Sequence, residues 1–458
     1  LVSLRLGGED RLALAVPPDR PSVCRFADTH DGAELRFPFG FTKDARPELR
    51  MRAPFACVLY RTEPRWRFRS ALERYYALFP EPFKPFVRKG GAWLFAATSK
   101  DLPDPQHFHY HQGGPADCKD DDERGLGTYP YQESCCRTVT LPGKEQPKTY
   151  DEAMDRFAEL EQQQPDLKYV RDNAVQNTRG EYVLSITDDL SADAKPDPSL
   201  NVLRFTLNVD PNLPDSPAKP NAAGRQFEFF DRVFRETPSV DGCYFDSVSV
   251  WCYGVLNCRR EQWSANRRPF GYHGATFGVG AHGRFAMSAF LRALQERYHP
   301  QGKAVFTNMH ANLDAFPLYL VSDIAGIEGS AFENLDATFF YRASACKKPV
   351  LLMNFIHPHG LDKRGVVEQF YYNAALWGEL PSTGRSVQEA YRLHGDLAHT
   401  WMPAIRELAE AGWEPVPLAS GAHVERFPAR DAVCFTIRSP GDGATPLRID
   451  RNALKDLE

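Results

Sequence analysis

Between residues 90 and 411 the sequence alternates short apolar stretches with helical patterns, and this alternation constrains the fold more than any other feature. Short apolar runs bounded by Gly, Pro or Asp predict buried strands, and apolar residues spaced three and four apart predict amphipathic helices. Strands that alternate with helices are typical of a parallel sheet, either a βα barrel or a doubly wound open sheet. No GxGxxG follows the first predicted strand, which favours the barrel.

Eight strand positions are predicted, and the eighth is short. They are 92–97, 126–132, either 181–186 or 202–209, 242–248, 304–309, 323–328, 349–354 and 378–381. The accompanying helices are predicted at 151–162, 227–235, 284–298, 366–377 and 387–411. Seven or eight βα units across about 320 residues fit a TIM-type (β/α)8 barrel with insertions.

The flanking regions have a different texture. Residues 1–87 contain short apolar stretches separated by turns and predict an N-terminal β-domain, the remnant of a β-sandwich. A helix at 66–78 and a proline-rich linker lead into the barrel. We therefore expect an α/β protein with a β-domain at 1–87, a catalytic barrel at 88–412 and a C-terminal β-rich segment at 413–458.

Composition excludes some classes of function. The chain has 458 residues, 42% of them apolar and 25% charged, as in an ordinary globular protein. The net charge of −5 and the lack of a basic run with interleaved aromatics argue against a nucleic-acid partner. No apolar run approaches the roughly 18 residues that span a membrane.

The cysteines and the first residue bear on the cellular compartment. Ten cysteines occur without CxxC pairs, so disulfides of a secreted or periplasmic enzyme and buried free thiols are both open. The chain begins at Leu1 without a leader pattern, as expected of a processed, trimmed or excised segment.

The stretch 241–249 combines an apolar strand with an acid at its far end. Tyr244, Phe245 and Val248 favour extended structure, and Asp246 sits where burial of an unpaired carboxylate would be costly. The carboxyl ends of barrel strands are where such enzymes place their active sites. Asp246 is therefore the first candidate for a catalytic nucleophile or base.

Most of the other predicted strands also end in polar residues. The stretches after strands one to three contain His107, His109, His111, Tyr131, Gln132, Glu133, Asn208 and Asp210, and those after strands five to seven contain Asn308, His310, Glu328, Asn354 and His357. Glycoside cleavage needs two carboxyl groups on either side of the scissile bond, and Asp246 and Glu328 meet that need. Small residues surround Glu328, and its apolar approach is expected to raise its pKa toward that of a general acid.

These residues carry a family resemblance. The segments Asn208-Val209-Asp210-Pro211, 241–247, Phe306-Thr307-Asn308 and Gly326-Ile327-Glu328-Gly329 resemble (β/α)8 glycoside hydrolases of the broad α-galactosidase and α-amylase-like group. The resemblance implies that Asp246 on the fourth strand is the nucleophile and that a sixth-strand carboxylate, here Glu328, is the acid/base.

The first hypothesis is therefore a glycoside hydrolase that cleaves an oligo- or polysaccharide, by a retaining mechanism, without a metal or cofactor. The residues expected to bind sugar hydroxyls are Asn208, Asn308, His310, Tyr131, His109 and His111, and Trp251 is expected to stack on a sugar ring.

Two other hypotheses remain. His107, His109 and His111 alternate, so in an extended segment they share one face, and with His273, His310 and Asp323 they would suit a metal-dependent amidohydrolase-like barrel. The third hypothesis is a carbohydrate-binding barrel without catalysis. The acidic stretch 117–123 is also a candidate calcium loop.

Overall fold

The computed structural model describes residues 1–5, 11–29, 32–100, 102–142, 147–184, 202–216, 219–249, 255–310, 315–328, 335–353, 363–384, 387–439 and 446–451. The strands are β1 (Val2–Arg5), β2 (Arg11–Ala15), β3 (Arg25–Thr29), β4 (Gly32–Arg36), β5 (Val58–Arg61), β6 (Ala92–Leu94), β7 (Phe108–His111), β8 (Gly127–Thr128), β9 (Tyr131–Gln132), β10 (Cys136–Thr140), β11 (Val202–Thr206), β12 (Gly242–Phe245), β13 (Leu256–Asn257), β14 (Gly271–Tyr272), β15 (Val279–His282), β16 (Ala304–His310), β17 (Ile324–Glu328), β18 (Val350–Leu352), β19 (Leu380–Thr383), β20 (Ala419–Ser420), β21 (His423–Pro428), β22 (Val433–Arg438) and β23 (Arg448–Ile449).

The α-helices are α1 (Phe68–Leu78), α2 (Cys118–Arg124), α3 (Tyr150–Gln163), α4 (Lys168–Asn173), α5 (Ala222–Glu236), α6 (Gly283–Tyr298), α7 (Phe316–Tyr319), α8 (Leu335–Ala345), α9 (Arg364–Trp377) and α10 (Val387–Ala411). Single-turn 3₁₀ helices lie at Pro47–Leu49, Pro64–Trp66, Glu81–Phe83, Pro105–His107, Pro165–Leu167, Arg260–Gln262 and His299–Gln301.

The main sheet is parallel throughout, in the order β8-β7-β6-β19-β18-β17-β16-β12-β9. Its two end strands are consecutive in the chain and are separated only by Tyr129 and Pro130. Tyr129 N donates to His111 O at 2.9 Å, and Tyr244 N donates to Pro130 O at 3.1 Å. The sheet therefore curves back on itself, as the predicted parallel βα architecture requires.

Large aromatic rings fill the interior of this sheet. The ring of Phe306 lies 5.0 Å from Trp93 and 4.7 Å from Tyr244, centroid to centroid, and Tyr110 and Tyr129 pack against the same ring. All five side chains are almost fully buried. The interior is a packed core, as in barrels of the TIM type, so chemistry is confined to the ends of the strands.

The predicted strands one, two and four to eight are confirmed to within a few residues, but the third position was wrong and one strand was missed. Segment 202–209 does not belong to the main sheet, because β11 pairs antiparallel with β10 in a separate two-stranded sheet. The alternative third strand, 181–186, extends beyond the described residues, and its Tyr182 forms only an isolated bridge with Gln176. The third position is instead held by segment 127–132, which was predicted as the second.

The second strand of the main sheet is β7, a segment that follows the first predicted strand and was not itself predicted as a strand of the sheet. Polar His109 and His111 alternate in it with buried Phe108 and Tyr110, and a strand of this kind looks like a solvated loop unless the partners of the histidines are known.

The two ends of the chain contain small antiparallel sheets. β1, β2 and β5 form one sheet and β3 and β4 form a hairpin, while β21 pairs with β22 and β20 with β23. Arg69 on α1 makes a bidentate ion pair with buried Glu425 on β21, at 2.6 Å through each nitrogen. The domain boundaries at residues 87 and 412 stay predictions.

Two general features complete the fold. Among the described helices, none combines the length and the apolar content that crossing a membrane requires. Cys57, Cys118, Cys136, Cys243, Cys346 and Cys434 carry free thiols.

A buried ion pair fixes the closing segment of the sheet. The acidic stretch 117–123 lies largely in helix α2, where Asp121 is fully buried. Its carboxylate accepts from His111 Nδ1 at 2.8 Å and from Thr128 Oγ1 at 2.6 Å, and also from Ser99 Oγ. His111 Nε2 faces Ala97 O at 2.8 Å, so both ring nitrogens need a proton and His111 is an imidazolium.

This ion pair should make stability depend on pH. Burial opposes the charge, but the hydrogen bond and charge of Asp121 raise the pKa of His111 above its ordinary value. The contribution of the pair is therefore complete below pH ~6.5, the unfolded pKa, and is lost as pH rises through the raised folded pKa. Asp121→Asn should lower the free energy of unfolding by about 3–5 kcal/mol at pH 6 and by less at pH 9, as measured by urea denaturation.

The matched control for this variant is Asp120→Asn on the same helix. Asp120 faces Arg124 at 3.7 Å and is 40% exposed, so its replacement should change stability little at either pH. An equal loss in both variants, or a loss from Asp121→Asn that does not change with pH, would contradict the role of the pair.

Candidate active site

The candidate site lies where three adjacent strands of the main sheet end. β12, β16 and β17 are neighbours, and the register places Asn308 opposite Gly326 and His310 opposite Glu328. Asp246 follows the last residue of β12, and its N–H donates to Gln132 O of β9 at 2.9 Å. Because the strands are parallel, their carboxyl ends meet at one edge, and the two predicted catalytic acids share that edge.

Asp246 is surrounded by hydrogen-bond donors. Oδ1 accepts from Asn308 Nδ2 at 2.7 Å, from Ser247 N at 2.8 Å and from Tyr244 OH at 3.3 Å. Oδ2 accepts from Tyr131 OH at 3.0 Å. Four donors from three strands and a turn hold this carboxylate in one orientation, as a group that must attack or stabilise a fixed atom requires.

Asn308 links the two acids. Its Nδ2, which donates to Asp246, also donates to Glu328 Oε2 at 2.9 Å, and the Asn308 side chain is almost fully buried on β16. One nitrogen at 2.7 Å and 2.9 Å from these oxygens holds them closer than about 6 Å, near the ~5–5.5 Å of retaining glycosidases and below the ~6.5–9.5 Å of inverting ones. Glu328 is the last residue of β17 and is half-buried.

Two tyrosine hydroxyls complete the surroundings of Asp246. Burial, followed by the charge of Asp246, raises the pKa of Tyr244 and of Tyr131 well above that of free tyrosine. Both phenols therefore stay protonated and act as donors. Tyr244 is buried in the core, whereas Tyr131 is 41% exposed, so only Tyr131 presents a free edge to solvent.

The turn after Asp246 is strained. Ser247 has a φ of +54°, a region that few residues other than glycine adopt. The strain is accompanied by the hydrogen bond from Ser247 N to the Asp246 carboxylate and by one from Val248 N to Asn308 O at 3.1 Å. Such strain persists where surrounding contacts determine the backbone, as they do at many active sites.

The structure brings together Asp246, Glu328, Asn308 and Tyr131, four of the nine residues predicted for the site. His310 ends β16 opposite Glu328, but its side chain lies outside the described residues, as do Trp251, Asn354 and His357.

Three predicted sugar ligands lie elsewhere. Asn208 Nδ2 donates to Gln262 Oε1 at 3.0 Å, in a group of amide side chains around β13. His109 Nδ1 contacts Gly125 O at 3.1 Å, and His111 is committed to Asp121. Tyr110 points into the interior core, so His109 and His111, which alternate with it, point outward toward α2. None of the three has a hydrogen bond to the carboxylate pair among the described contacts.

The histidines of the amidohydrolase hypothesis whose side chains are described do not assemble either. His107 Nδ1 contacts Tyr391 OH at 3.1 Å, and His273 contacts the Thr276 hydroxyl within its own hairpin. Asp323 precedes β17 at the opposite end of the sheet and binds His299 Nε2 at 2.8 Å. Across the described ranges, no three His, Cys, Asp or Glu side chains form a group suited to a metal ion.

Sequence reasoning missed Tyr244 as a site residue, and it named Glu133 among the polar strand ends without giving it a role. Tyr244 lies two positions before Asp246, and the two-residue period of a strand would have placed both on one face. Glu133 follows β9, and its Oε2 accepts from Cys136 Sγ at 3.3 Å. The charge of Glu133 contributes to the raised pKa of Tyr131 after burial and Asp246, so a third carboxylate borders the site.

No protein-family model matches the chain, and neither does any curated protein. Among solved structures, it is similar to the glycoside hydrolase domain of PelA from Pseudomonas aeruginosa, with a TM-score of 0.36 and 12% identity over 65% of this chain and 95% of that one. For the cycloalternan-degrading enzyme from Trueperella pyogenes the TM-score is 0.46 and the identity 12%, and the match covers 88% of this chain and 58% of that one. For the α-galactosidase from Thermus thermophilus the TM-score is 0.48 and the identity 11%, and the match covers 88% of this chain and 75% of that one. The chain thus has a distant structural likeness to glycoside hydrolases.

Proposed function

We propose that this chain is a retaining glycoside hydrolase in which Asp246 is the nucleophile and Glu328 the general acid/base. The observation that carries the proposal is the single amide of Asn308 that donates to both carboxylates, at 2.7 Å and 2.9 Å. A pair of acids at that spacing leaves no room for a water molecule between the nucleophile and the sugar. This is the arrangement in which the carboxylate itself attacks the anomeric carbon.

In the first step, an Asp246 oxygen forms a bond to the anomeric carbon while the bond to the leaving oxygen breaks. Glu328, in its protonated form, transfers its proton to that oxygen. In the second step, Glu328 as a carboxylate takes a proton from water, the water oxygen bonds to the anomeric carbon, and the carboxylate of Asp246 is released. No cofactor enters either step.

The neighbouring side chains have supporting roles in this proposal. Because both N–H groups of the Asn308 amide are used by the two acids, Asn308 is a positioning residue here rather than a donor to sugar hydroxyls. Tyr244 fixes Oδ1 of Asp246 from within the core. Tyr131 donates to Oδ2 from the exposed side, where the substrate would enter.

Trapping of the covalent intermediate tests the proposal directly. Incubation with a panel of 2-deoxy-2-fluoroglycosyl fluorides should add one glycosyl mass per chain, and peptide mapping should place it on Asp246. Proton NMR of the first product from a cleaved aryl glycoside should show the anomeric configuration of the substrate. Labelling of another residue, or an inverted product, would contradict the assignment.

A further inference from the structure

Two exposed aromatic rings stand on a hairpin that the proposed mechanism does not use. Tyr272 on β14 is 40% exposed and Phe277 in the hairpin tip is 72% exposed. Their ring centroids lie 6.1 Å apart, and the ring planes differ by only 24°. Two exposed aromatic rings that lie side by side form a candidate binding surface.

The backbone at the tip is held in a strained state. Phe277 has a φ of +55°, which is an outlier for a bulky residue. Three hydrogen bonds maintain it: Phe277 N to His273 O at 2.8 Å, His273 N to Gly278 O at 2.8 Å, and Gly278 N to Thr276 Oγ1 at 3.3 Å. A relaxed turn would remove this strain. The exposed position of the Phe277 ring therefore depends on the strained backbone geometry that these hydrogen bonds maintain.

The hairpin is also fixed to the body of the protein. A Cβ atom at Gly278 would lie 2.6 Å from Thr178 Cγ2, so the tip packs closely on the segment between β9 and β12. At its base, β15 pairs with β13. The two rings therefore have a fixed place.

The chain topology assigns that place to the face of the candidate active site. The hairpin belongs to the insertion that leaves β12 at Asp246 and returns at His282 to begin α6. Connections that follow the carboxyl ends of strands all lie on one face of a βα barrel. The insertion carrying the rings is thus the same connection that carries the proposed nucleophile.

The polar groups around the rings narrow the class of ligand. The hydroxyl and N–H of Thr276 both approach His273 Nδ1, at 3.1 Å and 3.2 Å, and Thr178 borders the tip. Flat apolar rings edged by hydroxyl and imidazole groups match a pyranose, which has an apolar C–H face and polar hydroxyls at its edge.

We infer that Tyr272 and Phe277 form a platform for a sugar ring of a polysaccharide substrate, at a distance from the bond that is cleaved. The inference rests on the proposed function and deepens it, because such a platform is useful only if the substrate is a chain of several sugars. The platform binds an uncharged or partly charged hexopyranose unit by stacking, and polar groups at the edge of the rings contact the sugar hydroxyls.

Affinity electrophoresis tests the platform without turnover. Native gels containing galactomannan, glucomannan, dextran or chitosan are run with the full chain carrying Asp246→Asn, so that the gel polymer is not degraded. At least one polymer should retard the chain. Adding Phe277→Ala or Tyr272→Ala should raise the dissociation constant at least about fivefold, and Phe277→Trp should retain binding. Phe26→Ala, which removes a 38% exposed ring on β3, is the control and should leave retardation unchanged.

The outcomes separate the platform from the catalytic proposal. Lack of retardation in all four gels, or equal retardation by Phe277→Ala and its parent, would overturn the platform. A dimer in sedimentation that Phe277→Ala disperses would also overturn it, since the rings would then bind a second copy of the chain. Ring-dependent retardation together with failure of the fluoroglycosides to label Asp246 would keep the platform and remove the proposed hydrolase mechanism.

Discussion

Asp246→Asn is expected to reduce turnover of any cleaved glycoside at least about 1,000-fold, which corresponds to about 4 kcal/mol in the activation barrier. The amide has the shape of the carboxylate but cannot form the glycosyl-enzyme bond. The loss should appear in kcat and in kcat/KM alike, because the missing interaction is made only as the reaction proceeds.

Structure should survive this substitution. The amide that replaces the carboxylate would retain an oxygen for the donors of Tyr131 or Asn308, so the melting temperature should change little, as followed by circular dichroism. Asp166→Asn is the matched control. Its side chain is 97% exposed, and its ion pair with Arg225 is long, at 3.9 Å, so this pair contributes little to stability. Activity within about tenfold of the unmodified chain in Asp246→Asn would exclude this residue as the nucleophile.

Glu328→Gln should have an effect that depends on the leaving group. Loss of a general acid costs about 10²–10⁴-fold when the departing alcohol is a sugar that needs a proton. A 2,4-dinitrophenyl glycoside leaves without protonation, so its first step should be much less affected. External azide should then accelerate release of the glycosyl group and yield a glycosyl azide, because azide needs no general base.

The leaving-group comparison distinguishes catalysis from structure. A damaged site would slow the cleavage of both substrate types equally. A missing acid would slow the substrate with a sugar leaving group far more than the 2,4-dinitrophenyl glycoside. Glu261→Gln, at a side chain that is 78% exposed, serves as the control. Equal losses on both substrates without azide rescue would contradict the acid/base role of Glu328.

Much of this architecture was predictable because local patterns determine it. The strands that carry Asp246, Asn308 and Glu328 are continuous apolar runs, as expected of parallel strands covered on both faces, and their ends were placed to within a few residues. The same reasoning put the three side chains at one edge of the sheet. Tyr131 was predicted for the site as well, and it donates to Asp246.

The failures came from partners that are distant in sequence. His111 looked like a ligand because its counter-ion, Asp121, lies on a helix whose docking no local pattern reveals. Asn208 follows a segment with the texture of a barrel strand, yet that segment pairs with Cys136–Thr140 and not with a barrel neighbour. Alternation of side chains predicts that a strand exists, but not which strand lies beside it.

The shared amide of Asn308 could not have been foreseen either. An asparagine at a strand end is compatible with capping, sugar binding or a turn. Only the register between β12, β16 and β17 shows that its two hydrogens lie between two carboxylates.

The two short strands β8 and β9, which follow each other in the chain and close the sheet, have a consequence for how the protein folds. β8 pairs with β7 across the connection that contains α2, but Tyr131 of β9 must find Tyr244 of β12 across about 110 residues, which costs about 2 kcal/mol more in loop-closure entropy. The ring of strands therefore has two long-range pairings: that of β6 with β19, where Trp93 pairs with Ser382, and the seam between β9 and β12. Pairing at both places is expected to be a late event. Since Asp246 N is itself bonded to Gln132 O in that seam, opening it locally would dismantle the nucleophile while the rest of the chain stays folded.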